Sequence, residues 1–169
     1  MKFRYRTSLF FVVAAILLFV SCGRKSEDAA EYNDRIISQQ MQIIDAFELM
    51  DSTLRDTSVN MDRIDYAYSN LRARVKEGKY ALDSIGPFTQ DPSLQLAAKE
   101  LFEAYDAMVE GEYRTLSDIH RIDPELLTSA MADSANVSAS RILDRSKQIQ
   151  ERFMKAQDEF GKKYNLTFE

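Results

Sequence analysis

Two side chains carry chemistry that little else in this sequence could perform: the only cysteine, Cys22, and the only histidine, His120. A lone thiol can be acylated, oxidised against a second thiol or used as a nucleophile. No second cysteine exists to pair with, and Cys22 opens a polar run rather than a core segment, so its surroundings favour acylation. A single histidine cannot build the di-metal carboxylate site of helical proteins, which needs Glu-x-x-His pairs on facing helices. The residue three before His120 is Ser117. Haem is unsupported on the same count, and the methionines fall at core spacings, where they pack. The sequence has no Gly-x-Ser-x-Gly nucleophile elbow and no glycine-rich phosphate loop. No catalytic residue, metal ligand or cofactor is therefore expected. His120 reads as a helix-end residue complementing the dipole.

The stretch before Cys22 explains the cysteine. Lys2, Arg4 and Arg6 form a positively charged start, and residues 9–20 are an unbroken apolar run. Twelve residues suit a signal-peptide core and fall short of the roughly 20 that a helix needs to cross a bilayer. Phe19-Val20-Ser21-Cys22 resembles a bacterial lipobox, with Phe19 where Leu is usual. The resemblance implies cleavage between Ser21 and Cys22 and acylation of the cysteine on sulfur and on its new amino group. Two or more acyl chains anchor a protein stably where one does so only marginally. The alternative is an uncleaved signal anchor. Residues 1–21 are thus expected as a leader and 22–30 as a lipidated, flexible tether. Residues 31–165 are expected as the folded domain. Lys25 with Glu27-Asp28 resembles the surface-export signals of some Gram-negative lipoproteins. Gly23 is not the Asp that often retains lipoproteins in the inner membrane. The expected place is the cell envelope, at the outer membrane, on its periplasmic or surface face.

Without the leader, the 169-residue chain keeps 148 residues, enough for one domain with a core. Lys plus Arg falls from 22 to 19 while Asp plus Glu stays at 27, moving the formal net charge from −5 to −8. Such an acidic body disfavours nucleic acid and anionic lipid surfaces. Only five glycines and three prolines interrupt many long charged side chains, which suits helices.

The apolar periodicity predicts four helices. The first, Ala29–Leu54, carries Tyr32, Ile36, Ile43, Phe47 and Met50 on one stripe, with Asp28 or Ser26 as its cap. The second, Val59–Ile85, has a heptad-like seam through Ile64, Tyr68, Leu71, Val75 and Leu82. Gly78 interrupts that seam, and a close approach by a neighbouring helix is the expected reason. Gly86-Pro87 ends the helix. Phe88 is expected to fold over the bundle end, with an exposed functional role as the alternative. Asp91-Pro92 starts the third helix, which runs to about Ile119. Asp123-Pro124 starts the fourth, which runs to Tyr164 with an irregularity near 129–136. Asn165–Glu169 is expected to fray. No stretch alternates at period two, so no sheet is expected. Short connections between amphipathic helices predict an all-α fold, an antiparallel up-and-down four-helix bundle behind the leader.

Tyr32-Asn33-Asp34-Arg35-Ile36-Ile37 resembles the opening of a group of small all-helical bacterial lipoproteins, as do the Pro87-Phe88 turn and the tyrosines of the third helix, Tyr105 and Tyr113. The resemblance implies the fold and the tether and transfers no site residues. Asp51-Ser52-Thr53, Asp83-Ser84-Ile85 and Asp133-Ser134-Ala135 resemble O-glycosylation acceptors. The acidic line Glu100, Glu103, Asp106, Glu110 reads as a solvated face. The expected function is non-catalytic: a module held to the membrane by its lipid, binding an envelope or surface protein, or a surface ligand, through one face. Exposed aromatics such as Tyr66, Tyr80 or Phe88 would carry that contact. The alternative is a pocket between the helices, in which Gln40, Ser146 and Gly78 interrupt apolar lines. That pocket would serve a carrier of a small hydrophobic ligand or an enzyme. Self-association through a leftover apolar stripe is a third reading.

Overall fold

A computed structural model of the chain describes residues 6–56 and 59–166, with side chains of the first helix described from residue 25 onward. Among the described residues the protein is all-α. Helix α1 spans Arg6–Arg55, α2 Met61–Ile85, α3 Ser93–Met108, α4 Arg114–His120 and α5 Ser129–Tyr164. A π turn at Val109–Tyr113 joins α3 to α4 without a break, so the chain makes four helical rods. The one isolated bridge, between Phe88 and Asp91, belongs to the turn before α3.

The helix ends follow local chemistry. Asn60 caps α2, its side-chain oxygen accepting from the Arg63 amide at 3.0 Å. Gly86 ends that helix at φ 67°, a left-handed value that its missing Cβ allows, and its amide donates to the Leu82 carbonyl. Asp91 accepts from the Ser93 amide at 3.1 Å, and Pro92 supplies a carbonyl to Leu96, so this start is as expected. At the far end, Asn165 takes a left-handed cap and Leu166 donates to Gly161 at 2.8 Å. Residues 165–166 therefore close the helix rather than fray.

Three boundaries differ from the sequence reading. Helix α1 does not start at Ala29: the backbone is helical through 22–30, and Asp28 is an exposed interior residue rather than a cap. No Pro or Gly pair interrupts the chain there, and Ala29 and Tyr32 are buried, which fixes that segment from the domain side. Asp123-Pro124 opens only a short 3-10 turn, Pro124–Leu126, and not the fourth helix: the break before α5 falls at Leu127-Thr128, where Thr128 caps the helix, while 133–136 is regular helix. A capping hydroxyl in extended backbone outweighs polar residues that can point to solvent within a helix. The third difference is the π turn.

One core runs through all four rods: Ile36, Ile43 and Met50 of α1 meet Leu71, Val75 and Leu82 of α2, Leu101 and Phe102 of α3, and Ile149 and Phe153 of α5. Each such side chain contributes about 1.5–3 kcal/mol through burial. Gly78 lies where Ile43 of α1 and Phe102 of α3 approach α2 closely, as anticipated. A Cβ there would stand 2.8 Å from Ile43 Cδ1 and 3.3 Å from Phe102 Cε2.

At one end of the core, Phe88 is only 9 % exposed and packs on Tyr32, Phe160 and Tyr164 with centroids 5.0–5.6 Å away. It is a lid residue, so it leaves the set of exposed aromatics, whereas Tyr66 and Tyr80 stay in it. Tyr32 donates to the Gly86 carbonyl at 2.8 Å, and Lys163 and Tyr164 both donate to Asp91. At the other end, Arg121 donates to Asp65 at 3.0 Å and Tyr113 to Asp51 at 2.9 Å.

Candidate ligand crevice

The π turn decides what faces the interior on the third rod. Tyr105, Val109, Tyr113 and Ser117 are all buried and follow one another at steps of four. In a regular helix of 3.6 residues per turn, each such step drifts about 40° around the axis. The wider π turn absorbs the drift and keeps all four inward. Its irregular backbone is stitched by side chains: Tyr68 donates to the Val109 carbonyl at 3.3 Å and Thr115 to the Gly111 carbonyl at 3.0 Å. Glu112 is turned inward as well and is held by Arg145 of α5 at 3.0 and 3.1 Å.

Beside this turn a crevice opens between α1, α4 and α5. Its outer part, about 470 Å³, is lined by Leu54, Leu116, Ile119, Ala139 and Leu143, with Asp51, Arg55 and His120 also on its wall. Its inner part, about 180 Å³, continues past Asp51, Ile142 and Leu143 to Phe47, Tyr105, Tyr113, Ser146 and Gln150. The outer volume lies within the about 300–1,000 Å³ common to small-molecule sites and the inner one below it, and the lining is mainly apolar with a few polar groups.

Those polar groups have distinct states. Tyr113 donates to Asp51 at 2.9 Å, and its pKa is pushed up, first by burial and then by the Asp51 charge. It is a fixed donor and not a phenolate base. Asp51 also lies 3.8 Å from Arg55. Ser146 donates to the Ile142 carbonyl one turn back and is satisfied within its own helix. Tyr105 is different. It is 2 % exposed, burial raises its pKa, and its hydroxyl has no hydrogen-bond partner. Gln40 and Gln150 approach it, short of a hydrogen bond. A buried hydroxyl left unpaired costs about 1–3 kcal/mol, and this one is also closed off from solvent.

The structure thus brings Gln40 and Ser146, the two polar interruptions picked from the sequence, into the neighbourhood of Tyr105. His120 is in the last turn of α4, as expected, and also lines the crevice. The side chains of Ser21 and Cys22 lie outside the described residues. The sequence reading missed the π turn and the Tyr113–Asp51 pair; the run of four-residue steps was the available signal.

Elsewhere some of the charged groups are paired across the rods. Of the acidic line, Glu110 and Asp106 each accept from α2, from Arg72 and Lys79 at 2.6 Å, while Glu100 and Glu103 are exposed. The open depression beside them, about 550 Å³ near Lys76 and Tyr80, is therefore a knitted ionic surface. Among the described residues no group of three His, Cys, Asp or Glu could hold a metal ion. Ser52, Ser84 and Ser134 of the glycosylation-like tripeptides are exposed on helices. The chain matches no known family model, no curated protein and no solved structure.

Proposed function

We propose that the protein is a lipoprotein of the bacterial cell envelope, anchored through Cys22, whose helical domain is a non-catalytic binding module. One observation carries this: a basic start and a twelve-residue apolar run end at Ser21-Cys22, the only cysteine in the chain. The resemblance to small all-helical lipoproteins supports it. Among the described residues no helix is long and apolar enough to cross a membrane.

The domain is an antiparallel up-and-down four-helix bundle in this reading. The contacts at its two ends support that order. Tyr32 of α1, Gly86 after α2, Asp91 before α3 and Tyr164 of α5 meet at one end. The C-terminal part of α1, the start of α2 and α4 meet at the other.

The anchor is tested by fractionating cells that express wild type or Cys22→Ala. Wild type stays with the membrane and incorporates labelled palmitate, and the variant is released. A variant that stays as firmly bound makes the leader an uncleaved anchor. Protease treatment of intact cells then separates the outer surface from the periplasm. Alanine at Tyr66 or Tyr80, both exposed, should disturb recovery of a protein partner without unfolding the bundle.

A second reading is favoured by the crevice: the module carries a small hydrophobic ligand between α1, α4 and α5. Its mainly apolar lining is what such a ligand needs.

A further inference from the structure

We infer that the seam between α1 and α5 is an interface between two copies of this chain, paired about a two-fold axis parallel to the rods, so that α1 of each copy packs on α5 of the other. The inference rests on the anchored-bundle reading and goes beyond it by naming what covers one face.

Each of the two rods carries a second heptad-like run beside its core stripe. On α1 it is Ala30, Asp34, Ile37, Met41, Ile44 and Glu48, and on α5 Leu143, Lys147, Gln150, Met154 and Gln157. Every member is exposed or half-buried. Met41, Met154 and Leu143 are 50 %, 64 % and 72 % exposed, at positions that a further helix would cover. Gln157 donates to Asn33 at 2.9 Å and so sets the rods level at one end, while Asp51 and Ala139 share the crevice wall at the other. In that register Ile37 lies level with Met154, Met41 with Gln150 and Asp45 with Lys147, each to within one turn.

Charge decides how two such faces meet. The α1 edge carries the exposed carboxylates Asp34, Asp45 and Glu48. The α5 edge is close to neutral: Glu151 has Lys155 one turn on, and Asp158 accepts from Lys162 at 2.6 Å. Among the described residues no ion pair joins α1 to α5, whereas α2 is tied to the third rod by Arg72–Glu110, Lys79–Asp106 and Lys99–Asp83. Lys147 is thus a cation without an ion pair among the described residues, on the edge that would meet Asp45 of another copy. A two-fold axis across the rods would lay α1 on α1, carboxylates against carboxylates, which is repulsive. An axis along the rods lays the acidic edge of α1 on α5, with Lys147 level with Asp45 and Met154 with Ile37. It also keeps both Cys22 ends together, so two anchors enter one leaflet and hold the copies at high local concentration. From Ala30 to Glu48 the face is about 27 Å long and, across two rods, about 20 Å wide. Pairing would bury about 1,000 Å² in all, the lower bound for a specific interface.

The test uses the full-length protein in its membranes. Two differently tagged copies are co-expressed, one with Met41→Cys and the other with Met154→Cys, and treated with a short bismaleimide. The two tags should be joined. Met41→Cys in both copies, or Tyr80→Cys in both, should join them about fivefold less, because α1 does not meet α1 and α2 faces away. Wild-type copies serve as the blank for Cys22. Asp45→Lys with Glu48→Lys, added to both copies of the joined pair, should lower the yield about tenfold by setting like charges opposite Lys147. Lys147→Glu in the same chains should restore it. All these residues are exposed, so the fold survives, and helical circular dichroism checks it. A yield from Met41→Cys in both copies equal to that of the mixed pair overturns the axis and with it the proposal, and so does indifference to the charge reversal. Fractionation of the same cells reads the anchor separately. An anchored protein whose tags are not joined overturns the pairing alone; a released protein whose tags are joined overturns the anchor and keeps the pairing.

Discussion

The Tyr113 hydroxyl donates to Asp51 Oδ1 at 2.9 Å and so ties the π turn to the C-terminal part of α1, 62 residues earlier in the chain. Replacing Tyr113 by Phe keeps the ring, which packs on Phe47 at 5.2 Å, and removes the donor. The expected loss is about 1 kcal/mol, the usual net worth of such a bond with some extra for a half-buried carboxylate left short of a partner. Urea unfolding measures it. Asp51→Asn should cost less, because an amide oxygen still accepts. Equal stability of Tyr113→Phe and wild type would mean that the π turn is held by packing alone.

Gly78→Ala sets two effects against each other. Alanine gains about 1 kcal/mol of helix propensity. Its Cβ, however, would lie 2.8 Å from Ile43 Cδ1 in a core where Ile43 is fully buried. Overpacking of this kind costs about 1–3 kcal/mol, so the variant should be destabilised by about 1 kcal/mol. Ile43→Val removes the opposing methyl. The double variant should therefore be more stable than the sum of the two single changes implies, by a coupling of about 1 kcal/mol in a double-mutant cycle. Additive behaviour would show that the glycine does not set the approach of α1 and α2.

Phe88 and Tyr80 separate packing from surface. Phe88→Ala opens the aromatic cluster with Tyr32, Phe160 and Tyr164 and should cost about 3 kcal/mol or more. Tyr80→Ala changes a residue 63 % exposed and should stay within about 0.5 kcal/mol of wild type. Thermal unfolding of the two side by side decides it.

Asp91 gives the fold an acid-sensitive joint. Burial alone would raise its carboxyl, but hydrogen bonds from Lys163, Ser93 and Tyr164 outweigh burial and hold it at about 2, below the ordinary 3.8. A depressed carboxyl contributes fully above its unfolded value and loses that contribution as pH falls through its folded value. The cluster should therefore weaken between about pH 4 and pH 2. Asp91→Asn keeps a helix cap but should flatten the stability profile in that window, measured by thermal unfolding across the range. An unchanged acid limb would place the acid sensitivity elsewhere.

The rods were readable because their apolar residues recur at steps of three and four, and their stops because Gly86-Pro87 and Asp91-Pro92 act through backbone chemistry that needs no tertiary context. Gly78 was readable for the same reason: a glycine in a seam that wants an apolar residue implies a neighbour with no room for one. The break at Leu127-Thr128 was displaced to Asp133–Asn136 because cap preference cannot tell a capping Ser or Asp from one pointing to solvent. Phe88 could be placed on the bundle end but its partners could not, since Phe160 and Tyr164 lie more than 70 residues away along the chain. The crevice was legible only in fragments. Gln40 and Ser146 marked polar positions on apolar stripes, yet nothing in local pattern says that α1 and α5 bring them near Tyr105, or that a π turn shifts the register between Tyr105 and Tyr113.

The burial of Ala29 bounds the standoff of an anchored molecule. Seven residue steps separate Cys22 from Ala29, about 10 Å of the helix that runs through both. From Ala29, α1 runs a further 22 steps to Asp51, about 33 Å of rigid rod. The aromatic end of the molecule, around Tyr32 and Phe88, is thus the end nearer Cys22, and the crevice opens at the opposite end. A protein held at Cys22 would present its crevice away from the leaflet that carries its own acyl chains. Whatever fills it would be drawn from across the gap rather than from the bilayer underfoot.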